Sequence, residues 1–296
     1  MKKSILYMIL FGILTSALLC SCNAVKVNKT GPLTWELKDS VLTISGQGPM
    51  PNYNHISGGP WCNLVDGSRD NISSIIIKEG VTNIGNNAFA YYFDNVIYVS
   101  IPGSVTNIGE NAFAGCKSII SVIIPDGVIN IDKSAFENCS KLISIDIPDS
   151  VINIGDNAFK DCKSLITVSI GKNVKFIGYD AFQECSNILT VTSSNPVPPD
   201  LERRSIGLRR VGRSWAINED ALYLSAFDSV SNKCRLVVPD EFIAAYKEDT
   251  EWNKFFDNRA QVINQRRVLF QSRRRTESED GGIIWPNYTD SQVQKE

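Results

Sequence analysis

Histidine, the side chain most often used for acid-base catalysis, is nearly absent from this chain. The 296 residues include a single histidine, His55. A Ser-His-Asp or Cys-His catalytic group would need that one side chain beside its nucleophile. The chain also lacks a glycine-rich loop followed by Lys and Ser or Thr, the pattern that binds phosphate. We therefore predict a protein that is not an enzyme and that uses no cofactor.

An excess of positive charge is missing as well. The chain carries 30 Lys and Arg against 32 Asp and Glu, a formal net charge of −2. This balance gives no reason to expect a nucleic acid as a partner. Arginine is scarce in the first two thirds of the chain, since Arg69 is the only one in residues 1–200. Any cluster of arginines beyond that point marks a segment of different composition.

The apolar run near the N-terminus is too short for a comfortable membrane span. It extends from Ile5 to Leu19 after the basic start MKK, which is typical of a secretory signal peptide. The run ends in LCSCN, which resembles a bacterial lipobox with the small residue Ser21 before Cys22. We predict cleavage after residue 21 and lipid attachment at Cys22, which would anchor the protein to a membrane. An ordinary secreted protein with a chance cysteine is the alternative.

A repeat dominates the middle of the chain. Ala-Phe pairs begin at Ala88, Ala112, Ala135, Ala158 and Ala181, at intervals that are equal apart from one extra residue in the first. Self-similarity at a period of roughly 20–29 residues is the signature of a solenoid with one supersecondary unit per coil. The unit is clearest in LISIDIPDSVINIGDNAFKDC, residues 142–162. It predicts a short strand, a turn, a second apolar pair, a glycine and then Ala-Phe, with the Phe rings stacked into an apolar spine.

The glycine of each unit carries a further prediction. It recurs as Gly85, Gly109, Gly155 and Gly178, and Asp132 replaces it in the third unit. Glycine readily adopts a positive φ, and Asp tolerates one better than most residues do. We therefore expect a bend with a positive φ at this position.

The eight cysteines do not form the pattern of a disulfide framework, although export would favour one. Cys20 would leave with the signal peptide, and four others recur once per repeat: Cys116, Cys139, Cys162 and Cys185. Equivalent side chains of stacked coils point the same way, so they can neither bridge one another nor surround one metal ion. We predict buried free thiols, no metal site, and a separation between Cys62 and Cys234 too large for a disulfide.

These repeats resemble the leucine-rich repeat superfamily, specifically its bacterial BspA-like type. Upstream, LTWEL and VLTISG (residues 33–37 and 41–46) alternate as a hairpin does, and they resemble that family's N-terminal cap. Downstream, CRLVVP (residues 234–239) and an amphipathic stretch from Phe242 to Tyr246 resemble its terminal strand and capping helix, with Asp240 as a candidate N-cap. The resemblance covers about residues 31–264 and implies a mainly β leucine-rich-repeat solenoid with a hairpin cap and a strand-helix cap.

A sixth Ala-Phe pair, Ala226-Phe227, follows Ala181 only after almost two repeat lengths, so an insertion interrupts the last coil. Beyond residue 264 the chain is polar and charged, without apolar periodicity, which is typical of disorder. We predict seven segments: a lipoprotein signal peptide (1–21), a linker (22–30), the N-terminal β-hairpin cap (31–70), the repeats (71–200), an Arg-rich insertion (201–224), the last partial repeat with the C-terminal cap (225–264) and a disordered tail (265–296).

The outward positions of the repeat strands are the first candidate binding surface. In the leucine-rich pattern these are the second, third and fifth positions, of which the second is apolar in all five coils and the others are mostly Ser or Thr. The candidates are Ile97, Tyr98, Ile120, Ser121, Ile123, Ile143, Ser144, Asp146, Ile166, Thr167 and Leu189. An exposed apolar row about 19 Å long at about 4.8 Å per coil would mark a contact site. Strand propensity alone, or a flank that covers the row, is the alternative.

The Arg-rich insertion is the second candidate. Five arginines crowd it: Arg203, Arg204, Arg209, Arg210 and Arg213. Arginine binds carboxylates, sulfates and phosphates in a bidentate manner, so an acidic glycan or an anionic membrane surface would suit this segment. A solvated loop without a partner is the alternative.

The resemblance implies a non-enzymatic envelope protein, lipid-anchored at the outer membrane or cell surface, that binds an extracellular or host protein in adhesion to host or neighbouring cells. Capture of polysaccharide in a nutrient-uptake system is the second hypothesis. A periplasmic structural scaffold is the third.

Overall fold

The structure is a computed structural model that describes residues 26–64, 68–201, 208–211, 214–217, 226–227, 230, 234–249 and 252. The predicted signal peptide, the lipidation site Cys22 and the predicted tail lie outside these residues. The strands are β1 (Lys26–Thr30), β2 (Leu33–Lys38), β3 (Val41–Gly46), β4 (Ser74–Ile77), β5 (Asn83–Ile84), β6 (Tyr98–Ser100), β7 (Asn107–Ile108), β8 (Ser121–Val122), β9 (Asn130–Ile131), β10 (Ser144–Ile147), β11 (Asn153–Ile154), β12 (Thr167–Ile170), β13 (Phe176–Ile177), β14 (Thr190–Ser193), β15 (Asp200–Leu201), β16 (Leu208–Val211), β17 (Ser214–Ile217) and β18 (Arg235–Val237). The helices are α1 (Ile243–Glu248) and three 3-10 segments, Pro60–Asn63, Ser68–Asn71 and Asp240–Phe242.

Two sheets run along the length of the solenoid. The larger has ten strands in the order β1-β2-β3-β4-β6-β8-β10-β12-β14-β18, and the smaller has six in the order β15-β13-β11-β9-β7-β5. From β3 to β18 the large sheet is parallel, because each coil adds one strand beside that of the previous coil. The predicted mainly β solenoid is confirmed, with its hairpin at one end and its strand and helix at the other.

Register between coils follows the repeat residue by residue. Ser144 of β10 pairs with Thr167 of β12, and Asn153 of β11 pairs with Asn130 of β9. Both pairs join residues that occupy the same position in successive repeats, so equivalent side chains lie directly above one another. A row of equivalent positions in the sequence is therefore a row in space.

The predicted phenylalanine spine is confirmed. Adjacent rings from Phe89 through Phe113, Phe136, Phe159 and Phe182 to Phe227 stack with centroids 4.9–5.4 Å apart and interplanar angles of 4–13°. Trp61 stacks on Phe89 at 5.2 Å, and Trp252 lies tilted against Phe227 at 5.5 Å. Tryptophan thus ends the aromatic column on both sides, where a further coil would otherwise be needed to cover the ring.

The predicted free thiols are also confirmed. Cys62, Cys234 and the four repeat cysteines are all buried and unpaired with one another as disulfides. Each repeat thiol donates a hydrogen bond to the carbonyl of the phenylalanine one coil earlier, as Cys162 does to Phe136 O at 3.3 Å and Cys185 does to Phe159 O at 3.1 Å. Burial raises the pKa of the Cys139 thiol far above its usual range. These cysteine side chains fill space in the core, and the thiol of each is a weak hydrogen-bond donor.

The expectation of a positive φ at the recurring glycine is wrong. Gly85, Gly109, Gly155 and Gly178 are not among the positive-φ residues. They are needed instead because neighbouring coils approach closely: a Cβ on Gly155 would lie 2.6 Å from Lys133 N, and one on Gly178 would lie 2.4 Å from Asp156 N. Each coil has a left-handed residue two positions later, at Asn87, Asn111, Ser134, Asn157 or Asp180, and a second one four residues beyond that. Asn and Asp are the residues that accept this conformation most readily after glycine.

The N-terminal cap is larger than predicted. Strands β2 and β3 form the expected hairpin, but β1 adds a third strand, paired with β2 from Lys26↔Leu37 to Thr30↔Leu33. This strand lies within the range predicted to be a linker, residues 22–30. Its sequence, KVNKT, is polar and carries no strong strand pattern. Pairing with β2, rather than local preference, accounts for its formation.

The C-terminal cap contains the predicted strand β18 and helix α1, with Tyr246 and Trp252 fully buried. Trp252 Nε1 donates to Pro199 O at 2.8 Å. The interpretation of Asp240 as the helix N-cap is wrong, since a 3-10 turn, Asp240–Phe242, precedes α1 and Phe242 holds the capping position.

The segment predicted to be an insertion, residues 201–224, is only partly described. Strand β15 still pairs with β13, and the coil resumes at Ala226, whose carbonyl accepts from Phe182 N at 2.8 Å. Between them, β16 and β17 pair as an antiparallel ribbon from Leu208↔Ile217 to Val211↔Ser214. The insertion therefore leaves the stacking of the coils intact.

Candidate functional site

The outer face of the large sheet presents the apolar row predicted from the sequence. In the outer row, which we define as Ile97, Ile120, Ile143, Ile166 and Leu189, the exposed fractions of the side chains are 43%, 46%, 45%, 40% and 48%. No described residue therefore covers this row.

Backbone hydrogen bonds hold the outer row in line. The N–H of Ile143 donates to Ile120 O at 3.1 Å, that of Ile166 to Ile143 O at 2.8 Å and that of Leu189 to Ile166 O at 2.9 Å. One apolar side chain thus projects from each coil at the spacing of adjacent strands, about 4.8 Å. These bonds extend the ladder of the large sheet by one residue, through the outer row.

Small polar side chains border the outer row. Ser121, Ser144 and Thr167 are exposed, while Tyr98 is half-buried, and the strand register aligns them across β6, β8, β10 and β12. Nearby, Ile123, which directly follows β8, is 67% exposed, and Asp146 of β10 is exposed. All the predicted outward positions therefore project to the surface. The structure brings them together as one strip, and their use in binding stays a prediction.

The large sheet and the small sheet differ in what they expose. On the small sheet, Asn107 Nδ2 donates to Asp132 Oδ2 at 2.8 Å and Asn153 Nδ2 to Asn130 Oδ1 at 2.7 Å, so its polar side chains are occupied with one another. Its exposed apolar residues, Ile129 at 41% and Phe176 at 51%, belong to a surface that is otherwise polar. The continuous apolar strip belongs to the large sheet.

The second candidate surface is only partly described. Arg209 and Arg210 lie in β16, paired with Ala216 and Trp215 of β17. The other three predicted arginines, Arg203, Arg204 and Arg213, lie outside the described residues. The cluster as a binding site stays a prediction.

Groups suited to catalysis or to metal binding do not converge in the described part of the chain. His55 is exposed in a turn that follows β3, and no set of three or more His, Cys, Asp or Glu side chains there could hold a metal ion. None of the described helices has both the length and the apolar content to cross a bilayer.

One feature of the surface was missed by the sequence reasoning. A cleft of about 420 Å³ between the N-terminal cap and the first coil is lined by Arg69, Asp70 and residues 91–95. Two signals pointed to it: the first repeat is one residue longer than the others, and Arg69 is the one arginine before the insertion.

Comparison with known proteins agrees with the repeat architecture. The model of the BspA type leucine rich repeat region matches residues 67–189 in six copies, a shorter stretch than the 31–264 predicted from resemblance. Comparison with curated proteins gives no match.

Solved structures of leucine-rich repeat proteins also resemble the chain. The T. pallidum leucine rich repeat protein is 26% identical over 56% of this chain and 71% of its own, with a TM-score of 0.41. A Bacteroides ovatus leucine-rich repeat protein is 18% identical over 76% of this chain and 60% of its own, with a TM-score of 0.46. A leucine rich cell surface protein from Faecalibacterium prausnitzii is 23% identical over 75% and 73%, with a TM-score of 0.39.

The stacked coils, the aromatic spine and the six matched repeats together show that residues 67–189 of this chain form a leucine-rich repeat region of the BspA type.

Proposed function

We propose that this is a non-enzymatic, lipid-anchored protein of the cell envelope that binds a protein ligand through the outer row, in adhesion to host or neighbouring cells. The observation that carries the proposal is the outer row itself, five large apolar side chains that stay 40–48% exposed side by side. Contiguous apolar surface of this kind usually marks a contact site.

A protein suits this surface better than a neutral polysaccharide does. Burying apolar area releases about 25 cal/mol per Å², and a protein partner can supply an apolar patch of its own for that purpose. The bordering Ser and Thr hydroxyls would then satisfy polar groups at the rim, as in typical interfaces. Beside the outer row lies one aromatic residue of the predicted outward positions, Tyr98, which is half-buried and so offers a sugar only part of its ring.

The envelope location rests on the sequence. The basic start MKK, the apolar run from Ile5 to Leu19 and the cysteine at position 22 support export followed by lipid attachment. Exposure at the cell surface, as adhesion requires, can be tested by treating intact cells with protease. A protein that is cleaved only after lysis is a periplasmic protein and not an adhesin.

The binding test compares two surfaces of the same molecule. The chain from residue 23 onward, without the predicted signal peptide and lipidation site, is titrated with a panel of extracellular matrix proteins, beside a variant with Ile120, Ile143 and Ile166 all changed to Lys. The matched control carries Ile129→Lys and Phe176→Lys, which change similarly exposed apolar residues on the small sheet. We expect saturable binding that the outer-row variant loses and the control keeps.

Other outcomes would redirect the proposal. Binding that both variants retain would exclude the outer row as the contact site. Binding to acidic glycans alone, lost on deletion of residues 202–223, would move the function to the Arg-rich insertion. No binding to the whole panel by a folded sample would contradict adhesion and favour the scaffold hypothesis.

A further inference from the structure

The first coil departs from the repeat at the turn after its phenylalanine. Where later coils have Cys, this turn reads Tyr91-Tyr92-Phe93-Asp94-Asn95 and contains one extra residue. Phe93 is buried, and its ring packs edge-on against Phe89 at 5.9 Å. Because Phe93 is held in the core, the two tyrosines that precede it lie at the surface. The irregular turn therefore adds surface side chains without disturbing the phenylalanine spine.

Tyr91 is held in an unusual conformation. Its φ is 59°, a left-handed value that is rare for a bulky residue, and 54% of its side chain is exposed. The second coil makes room for the ring, since a Cβ on Gly115 would lie 2.7 Å from Tyr91 Cδ1. Later coils have Asn138, Asp161 and Glu184 at the Gly115 position. Gly115 and these three residues also have a positive φ, so the left-handed backbone belongs to every coil, and the first coil differs in the large exposed ring that it carries there.

A cleft opens beside this ring. It has a volume of about 420 Å³ and is lined by Arg69, Asp70 and residues 91–95. Arg69 lies with its guanidinium carbon 5.4 Å from the centre of the Tyr92 ring, and its Nη1 donates to Cys62 O at 3.1 Å. Asn95 Nδ2 donates to Asp70 O at 2.7 Å. The walls are therefore held in place by contacts with the cap and the coil.

The charges of the cleft balance. Arg69 Nε lies 3.1 Å from Asp70 Oδ1, and Lys117 Nζ lies 3.3 Å from Asp94 Oδ2. Two ion pairs give no net charge, so the cleft offers little attraction to an anion or a cation. Each carboxylate keeps a second oxygen that can accept a further hydrogen bond.

We propose that this cleft binds a neutral pyranose unit of a glycan. A pyranose has an apolar face of C–H groups, which Tyr91 can support, and a rim of hydroxyls, which can donate to the carboxylates of Asp70 and Asp94. A few fixed polar groups around an aromatic wall are the usual composition of a small-ligand site. The site does not depend on the outer row, and its chemistry differs from the acidic glycan considered for the Arg-rich insertion.

A lysine or arginine side chain of a protein partner fits less well. It would find two carboxylates and an aromatic face, but Arg69 and Lys117 already neutralise those carboxylates. A second cation would have to displace one of them. A neutral hydroxyl needs no such exchange.

The test is titration of the chain from residue 23 onward with neutral oligosaccharides of the hexose, N-acetylhexosamine and fucose types. Sialylated and sulfated oligosaccharides and a lysine-rich peptide are the comparison probes. The key variant is Tyr91→Asn, since Asn138 holds the equivalent left-handed position two coils later and the backbone can therefore stay as it is. Phe176→Asn is the matched control, because it removes a similarly exposed ring, 51% against 54%. Asp94→Asn removes one acceptor charge without changing shape.

We expect at least one neutral oligosaccharide to bind, with affinity that changes little between low and physiological ionic strength. Tyr91→Asn should weaken binding by about tenfold or more, and Asp94→Asn by about two- to tenfold, in the range of a single hydrogen bond. The Phe176→Asn and Ile120/Ile143/Ile166→Lys variants should bind the sugar as the parent does.

Three results would overturn the proposal: no saturable binding of any neutral oligosaccharide by the folded chain at millimolar concentrations, equal binding by the parent and Tyr91→Asn, or a preference for the lysine-rich peptide. Because the outer-row variant serves in both tests, failure of this site and failure of the proposed protein contact are separate outcomes.

Discussion

Phe159 and Ile143 belong to the same coil, yet Phe159 is fully buried while Ile143 keeps 45% of its surface exposed. Both are large, apolar and repeated in every coil. The rings of the spine are covered on both sides by neighbouring coils, whereas the outer row is covered by nothing that the structure describes. The spine therefore uses its apolar surface for folding, whereas the outer row leaves its apolar surface exposed, which is the observation behind the proposed contact site.

The largest effect on stability is expected from a substitution within the phenylalanine spine. Phe159 stacks between Phe136 and Phe182 at 5.4 and 5.2 Å, so Phe159→Ala leaves a cavity inside the column. We expect the free energy of unfolding to fall by about 3–5 kcal/mol, measured by urea denaturation. Loss of less than about 1 kcal/mol would mean that the coils close over the gap, contrary to a rigid spine.

The next effect tests close approach between coils. Gly155→Ala places a Cβ 2.6 Å from Lys133 N, whereas on Gly103 the nearest atom is 3.7 Å away. We expect Gly155→Ala to destabilise the protein by about 1–3 kcal/mol through backbone displacement. Gly103→Ala is the matched control and should change stability by less than about 0.5 kcal/mol. Equal effects of the two changes would show that the packing argument is wrong.

The third effect concerns pH. Burial raises the pKa of the Cys139 thiol far above its value of 9.0 in an exposed thiol. Below about pH 9 the thiol is protonated in both states and stability is complete. Above it the unfolded state loses its proton first, so stability falls as pH rises, by up to about 1.4 kcal/mol per pH unit for each such thiol.

Urea denaturation between about pH 8 and about pH 10.5 checks this slope. In the Cys139→Ala variant this slope should be smaller by the contribution of one thiol. Tyr and Lys side chains titrate in both proteins, so their contributions cancel when the two slopes are subtracted. An unchanged slope would indicate that Cys139 ionises normally in the folded state.

The smallest effect belongs to the outer row. Ile143→Ala removes a half-exposed side chain, so we expect a change of less than about 0.5 kcal/mol in the free energy of unfolding. A loss near that of Phe159→Ala would mean that the outer row is part of the fold, and it would remove the main support for the proposed contact site.

The repeat made much of the fold predictable. The spacing of Ala88, Ala112, Ala135, Ala158 and Ala181 determines stacking, because coils of equal length repeat their register, and from it the spine, the buried thiols and the outward positions follow. The prediction of a positive φ at the recurring glycine was wrong, because the glycine is required by contacts between coils. A positive φ is a local property, whereas the contact of Gly178 with Asp156 of the previous coil exists only after the coils have stacked.

The cleft at the first coil was not predictable from the repeat either. Tyr91 and Gly115 belong to successive coils, and Arg69 precedes both of them in the N-terminal cap. Their departures from the pattern are visible in the sequence, but the fact that they meet is not. Polar β1 was missed in the same way, since KVNKT becomes a strand by pairing with β2.

The sequence by itself determined the period of the solenoid, the side chains that form its spine and the faces to which its strands turn, because these depend on regular spacing along the chain. Only the tertiary structure decided which apolar surface stays uncovered, why glycine is required between coils and how Arg69, Tyr91 and Gly115 come together. Those features depend on distances between coils, and such distances are established only when each coil packs against the next.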